Sequence, residues 1–288
     1  MDFRTALRKS SPSAYRAAVH IRKGSAAQRI LRVRSRARSR RIFEAGKPVT
    51  VDVSVSTGLG GILTHAGRAL YVAQKYGVDM ALRFTSPNYA PSWGEVDWLE
   101  TYFVRHGSPP GDALIVHSQD VPFLEHPPEL RDTAALVWST IGIRDDIVAH
   151  ANTFVEKERF AAVHFRGSDK FLEVPRVTTE AVLETVERDM DADKLERLFV
   201  ATDEPAFLAQ AQQRFGSAMF SIPLEAVSTE DGRPAHFTDV DGETKALEAL
   251  TTMIILSQSQ LLVKTESLLS DWATTLTSNQ RVVLVRRP

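Results

Sequence analysis

Residues 161–174, AAVHFRGSDKFLEV, decide how this chain is read. An apolar run from Phe160 to Val163 delivers His164, Arg166, Ser168, Asp169, Lys170 and Glu173 within ten residues. A buried strand that ends in a dense polar cluster is how open α/β sheets build sites, because ligands collect beyond the carboxyl ends of the strands. The plain alternative is an ordinary strand followed by a solvated, charged loop. The surrounding chain decides between them.

Downstream, strand 160–164 is followed by helix 179–190, strand 198–202, helix 205–215 and strand 218–222. A polar loop, 225–242, leads to helix 243–257, strand 260–264, helix 268–277 and strand 282–285. Pro205 sits where the first turn of a helix tolerates it, with Asp203 or Glu204 as cap. Strands alternating with helices of this length predict a parallel, doubly wound sheet.

Upstream, residues 49–56 (VTVDVSVS) alternate at period two and are rich in valine, which predicts a strand. The glycine turn 56–61 (STGLGG) follows, then a helix over 62–77. Leu63, Ala66, Leu70, Ala73 and Tyr76 lie on one face of it, and Gly77 closes it. Strand, glycine turn and helix together aim backbone N–H groups at an anionic ligand. The dinucleotide fingerprint is excluded, because the third glycine of G-x-G-x-x-G is missing. A strand at 80–84, an aromatic and acidic helix at 92–106 and a short buried strand at 113–117 come next. A long helical region at 130–158, broken around Gly142, joins the halves. The expected fold is therefore α/β, with two Rossmann-like doubly wound domains facing a cleft. The first spans 48–150 and the second 151–288, preceded by a basic arm, 1–47.

That arm holds fourteen Lys/Arg and two acids, a net charge of +12, against −13 for the remainder of a chain whose total is −1. A basic arm on an acidic body suits contact with anionic lipid headgroups, nucleic acid or an acidic polysaccharide, or simply packing of the arm on the body. Of the partners, peripheral contact with an anionic membrane is preferred over nucleic acid. The segment 32–41 (RVRSRARSRR) is too polar to be buried in a bilayer. Cysteine is absent, which excludes disulfides, thiolate metal sites and a cysteine nucleophile. With no secretory signal and no apolar run of about 18 residues, the expectation is a cytoplasmic protein, peripheral at most to the inner face of the membrane.

In a parallel second sheet three strand ends become neighbours: 164–170, 201–204 and 264–267. The last holds Thr265 and Ser267 at a helix start, a suitable seat for phosphate. Arg166 can fork two N–H groups onto a diphosphate.

On these residues the chain resembles a known family. HFRGSDK is similar to the H-x-R-x-x-D motif of the α1,6-fucosyltransferases and the wider group that includes the bacterial nodulation enzyme and the protein O-fucosyltransferases. LFVATDEPAFLAQAQQRFG resembles the second motif of that group, and ALEALTTMIILSQSQLLVKTESLLSDWATTL the third. GLGGILTHAGRALYVAQKYG resembles its opening glycine-rich loop and helix, so the likeness covers most of residues 50–280. The resemblance implies a GT-B-like, inverting, metal-independent glycosyltransferase. Its second domain would hold a GDP-sugar, which is a substrate, with no cofactor. It implies that Arg166 contacts the diphosphate, that His164 lines the donor site and that Thr265 and Ser267 lie under the phosphates. Asp203 falls in the second motif, and Gly60 and Gly61 match the loop that closes over the donor. The acceptor would be a glycan or glycoconjugate. Two departures stand out. Gly167 occupies the place where many members have a second arginine, and Thr252 the place of an aspartate near the nucleotide.

Sugar transfer requires that charge on the leaving diphosphate be stabilised and that the acceptor hydroxyl lose a proton. Arg166, Lys170 and the 265–267 turn can supply the first. Asp169 or Glu173 can supply the second, although Asp169 can equally serve only to orient Arg166. The DAD at 191–193 and DVD at 239–241 mimic a metal motif but fall in expected loops and are discounted. Transfer from another nucleotide sugar, or a non-catalytic polyanion- or membrane-binding protein that keeps the fold, are the alternatives.

Overall fold

Two separate parallel sheets organise the protein, as seen in a computed structural model that describes residues 26–91, 97–122, 124–155, 159–166, 177–227 and 237–286, with 26–32 as backbone only. The basic segment forms helix α1 (Ala26–Glu44), followed by β1 (Val49–Val53), α2 (Leu59–Tyr76) and β2 (Met80–Phe84). A single turn, α3 (Leu99–Tyr102), runs into β3 (Phe103–Arg105), and β4 (Leu114–His117) follows. Then come α4 (Leu130–Thr140), β5 (Ile141–Ile143) and α5 (Asp145–Asn152). The first sheet has the order β2-β1-β4 with both pairings parallel, and β3 and β5 form a small antiparallel pair.

The second half runs β6 (Phe160–Phe165), α6 (Thr179–Asp193), β7 (Arg197–Thr202), α7 (Pro205–Phe215), β8 (Met219–Phe220), α8 (Gly242–Gln258), β9 (Leu261–Lys264), α9 (Leu268–Ala273) and β10 (Arg281–Leu284). Its sheet has the order β10-β9-β6-β7-β8, parallel throughout. All six residues of β6 are buried, as expected of an apolar central strand covered on both faces. Two of its helices are started by side chains: Thr178 Oγ1 accepts the Ala181 N–H (3.3 Å) at α6, and Asp241 Oδ1 accepts that of Thr244 (2.9 Å) at α8. These are the parallel, doubly wound halves expected from the alternation, in the GT-B-like arrangement that the resemblance implies.

One apolar core runs through both halves, joining Val51, Ile62 and Leu82 to Ala162, Met253 and Trp272. At the seam, Trp138 and Trp272 meet edge to face, with ring centres 5.7 Å apart. Each indole N–H crosses to the other half, Trp272 donating to Thr64 Oγ1 (3.0 Å) and Trp138 to Thr275 Oγ1 (2.8 Å). A buried aromatic seam with both polar tips satisfied holds the halves in one relation.

Several elements differ from expectation. The helix expected over 92–106 is reduced to α3, with 92–96 outside the described residues. Phe103 and Val104 suit a strand and pair with Ile143 and Gly142 instead. The break expected around Gly142 is therefore a strand rather than a kink, and it separates α4 from α5. β4 is an exposed edge strand, not a buried one, with Ile115 61% exposed. β8 shrinks to two residues. Helix α2 begins at Leu59, three residues early, which puts Gly60 and Gly61 in its first turn rather than in a loop. Asp191 and Asp193 lie in helix α6, where Asp193 pairs with Arg281 (2.8 Å), and Asp241 is the cap of α8.

Candidate functional site

The register of the second sheet brings three turns to one edge. His164 pairs with Ala201 on β7 and with Lys264 on β9, so the residues after each strand are neighbours. Thr265 ties two of them together: its N–H donates to the His164 carbonyl (3.1 Å), and its Oγ1 accepts the Arg166 N–H (3.0 Å). Thr265 is buried, and this clamp sets where the chain leaves β6.

A cavity of about 370 Å³ lies beyond these strand ends. Its floor includes His164, Arg166, Asp203 and Ser267. Residues 56–61, from the first half, form the opposite wall. Of the residues expected to meet a donor, His164, Arg166, Asp203, Ser267, Gly60 and Gly61 share this cavity, whereas Thr265 stands behind it. Asp169, Lys170 and Glu173 lie outside the described residues.

The glycines serve close approach. A Cβ on Gly60 would stand 2.5 Å from the backbone carbonyl carbon of Leu268, and one on Gly61 would stand 2.5 Å from Thr57 Oγ1. The starts of α2 and α9 therefore meet backbone to backbone across the cavity. Neither start is capped by the side chain at its head. Ser267 instead leaves its Oγ buried and, among the described residues, without a hydrogen-bond partner at the cavity wall.

His164 is the second such group. Its ring is buried, and its Nδ1 finds no partner among the described residues. Burial, reinforced by the charges of Lys264 and Arg166, pushes its pKa down to about 3, so the imidazole at neutral pH is uncharged. Lys264 is itself buried beside it and pairs with Asp271 on α9; burial still lowers its pKa. The edge thus concentrates two cations, Arg166 and Lys264, around a neutral imidazole and an unsatisfied hydroxyl. Such a set stabilises negative charge on a ligand through fixed donors.

Further residues complete the lining, among them Tyr89, an aromatic the sequence offers either for stacking on a sugar or for the core, and Thr252. Tyr89 is buried, and its hydroxyl accepts the Leu59 N–H at the start of α2 (2.9 Å). Its pKa is pushed up to about 12 by burial, so it keeps its own proton for the cavity. At the far side Lys245 and Thr252 of α8 face Leu224, Ala226 and Phe237. Glu248 fixes that rim by accepting the N–H groups of Glu225 (2.5 Å) and Ala226 (3.1 Å), and Lys245 holds the Thr238 carbonyl (3.0 Å). Lys245 and Glu248 do not stand out in the sequence, because a helical pattern reads the same for core and cavity. Among the described residues no group of three His, Asp or Glu is placed to share a metal ion.

No protein-family model matches this chain, and no curated protein matches it. Solved structures do. The NodZ α1,6-fucosyltransferase soaked with GDP-fucose is 15% identical, aligned over 80% of this chain and 93% of its own, with a TM-score of 0.55. Fucosyltransferase NodZ from Bradyrhizobium gives 15% identity, 79% and 92% coverage and 0.54. NodZ co-crystallised with GDP gives the same identity and coverage and 0.50. The chain shares the fold of these enzymes across nearly their whole length.

Proposed function

We propose that this protein is a glycosyltransferase that moves fucose from GDP-fucose to a hydroxyl of a glycan or glycoconjugate, with inversion and without a metal ion. The observation that carries this reading is the joint placement of Arg166, the unpartnered Ser267 Oγ and the unpartnered His164 Nδ1 on one cavity at the carboxyl edge of a parallel sheet. The kinship of fold with NodZ, solved with GDP-fucose and with GDP, supports the choice of donor.

Arg166 takes the departing diphosphate, with Ser267 adding a hydroxyl donor and Lys264 contributing charge from behind. Neutral His164 offers a directional hydrogen bond that does not compete with the acceptor proton. Asp203 and the first turn of α2 at Gly60 and Gly61 complete the donor seat, and Thr265 positions Arg166. The proton of the acceptor is assigned to Asp169 or Glu173, a few residues after Arg166 in the chain, and Lys170 is assigned to stabilising the leaving group. Residues 48–150 form the acceptor side, and 151–288 the donor side.

Calorimetric titration with GDP, UDP and ADP and their sugars tests the donor, and GDP release from GDP-fucose tests the chemistry. GDP should raise the melting temperature, Arg166→Ala should abolish that rise, and turnover should fall by roughly 10²–10³. No response to GDP alongside a clear response to another nucleotide would move the donor assignment. Binding of GDP-fucose with no release of GDP in the presence of any acceptor would leave a binding protein on a transferase fold.

A further inference from the structure

Helix α1 carries a charged face that the rest of the described chain leaves uncompensated. Its other side is anchored. Ser39 and Phe43 are buried, Phe43 lies edge-on to Tyr76 with ring centres 5.9 Å apart, and Ser35 donates to Asp120. These contacts seat the helix against the first half, from the residues following β4 to the end of α2. On the outer side Arg34, Arg38 and Arg41 follow at i, i+4 and i+7, forming one stripe, with Lys47 just beyond the helix. With Ala37, Ala45 and Ile42 between them, they line a shallow hollow of about 370 Å³.

The arginines of this stripe are exposed, and neither they nor the neighbouring Arg36 hold a carboxylate among the described residues. Several arginines elsewhere do hold carboxylates. Arg105 grips Asp97 and Glu100, Arg144 grips Asp146, Arg214 grips Glu180 and Glu187, and Arg281 grips Asp189 and Asp193. Among the described residues, the acids that pair those arginines leave this stripe unpaired.

We propose that the outer face of α1 docks the protein on an anionic phospholipid bilayer, lying on the headgroups without inserting. Charge sets the orientation: residues 26–47 carry eight Lys/Arg and one acid, whereas residues 48–288 carry a net charge of −13, so the α1 side is the one that suits a negative surface. The filling between the arginines favours lipid over nucleic acid. It is small and apolar (Ala37, Ala45, Ile42, with Val33 68% exposed nearby), which suits the headgroup region and offers nothing that reads bases. Among the described residues no helix is long and apolar enough to cross a membrane. The docking stands apart from sugar transfer and does not depend on it.

The test is vesicle flotation of the full chain. It should float with phosphatidylcholine vesicles containing about 30% phosphatidylglycerol and stay behind with pure phosphatidylcholine, and about 0.5 M salt should release it. The triple variant Arg34→Ala, Arg38→Ala, Arg41→Ala should lose roughly 100-fold in partitioning at unchanged melting temperature, since alanine is well tolerated at exposed helical positions. If the triple variant melts early, the single variants Arg34→Ala and Arg38→Ala serve, each expected to lose about fivefold. Equal binding to neutral and anionic vesicles, or variants that bind like the parent, would overturn the proposal. So would a nucleic-acid duplex that displaces the protein from vesicles at matched charge.

Discussion

Gly60 and Leu268 touch backbone to backbone across the seam between the two halves, so closely that a Cβ on Gly60 would lie 2.5 Å from the Leu268 carbonyl carbon. A second contact of the same kind lies elsewhere along that seam, where a Cβ on Gly242 would stand 2.1 Å from the Ala90 carbonyl oxygen. The first residue of α8 thus rests on the strap that carries Tyr89, and the first turn of α2 rests on the start of α9. Neither glycine has positive φ. Their requirement is space, and the space they leave sets the distance between the cavity walls.

Gly60→Ala should therefore act on both stability and ligand binding. The methyl cannot be relieved by a flexible side chain, because its neighbours are the backbone atoms of Leu268 and Leu269. Overpacking of this kind costs about 1–3 kcal/mol. A urea unfolding series should show that loss, and calorimetry should show weaker GDP binding because the α2 wall has moved. Alanine at Gly60 with unchanged urea midpoint would mean that the two helix starts are free to separate.

Ser267→Ala separates binding from folding. The hydroxyl is buried and makes no hydrogen bond among the described residues, so its removal should leave the melting temperature unchanged or slightly raised. If it is reserved for the diphosphate, affinity for GDP should fall roughly tenfold. A loss of stability with GDP affinity intact would show that Ser267 serves the fold.

How much of this was legible follows from what each signal measures. The second sheet was, because FAAVHF and LLVK are apolar runs at strand length and the helices between them carry caps such as Thr178 and Asp241. The meeting of His164, Arg166 and Ser267 was legible too, since parallel pairing fixes which strand ends adjoin. The exposure of β4 was not. Leu114 and Ile115 look like core, but a strand at the edge of a sheet leaves one side without a neighbour. Lys264 went unnoticed because a lysine at a strand end normally reads as solvated; only the register on β6 and the partner Asp271 reveal it as buried. Tyr89 stands out as an aromatic that could stack on a sugar or join the core, but its hydrogen bond to Leu59, thirty residues away, is not legible in the sequence.

Tyr89→Phe removes a single acceptor. The Leu59 N–H would then be left without its partner in a buried turn, at a cost of about 1–3 kcal/mol. Hydrogen exchange should report it locally, with the first turn of α2 losing protection while β6 and β7 keep theirs. Uniform loss across both sheets would instead mean that the hydroxyl matters to global packing.

The buried imidazole predicts how stability depends on pH. His164 titrates at about 3 in the folded protein and near the ordinary 6.5 when unfolded. Between those values the unfolded chain binds a proton that the folded chain refuses, so stability rises with pH through that window and is lost as pH falls. Above about 6.5 the residue contributes no pH dependence. The full effect is at most roughly 5 kcal/mol, reached only below the folded-state value. Carboxylates elsewhere titrate over part of the same range, so the informative quantity is the difference between the parent and His164→Gln, an uncharged residue of similar reach. Unfolding free energies measured from pH 7 down to pH 4 should converge between the two as acid is added, because only the parent carries the histidine penalty. Parallel curves would mean that the folded protein accepts a proton at His164 as readily as the unfolded chain. That would remove the neutral imidazole from the donor seat.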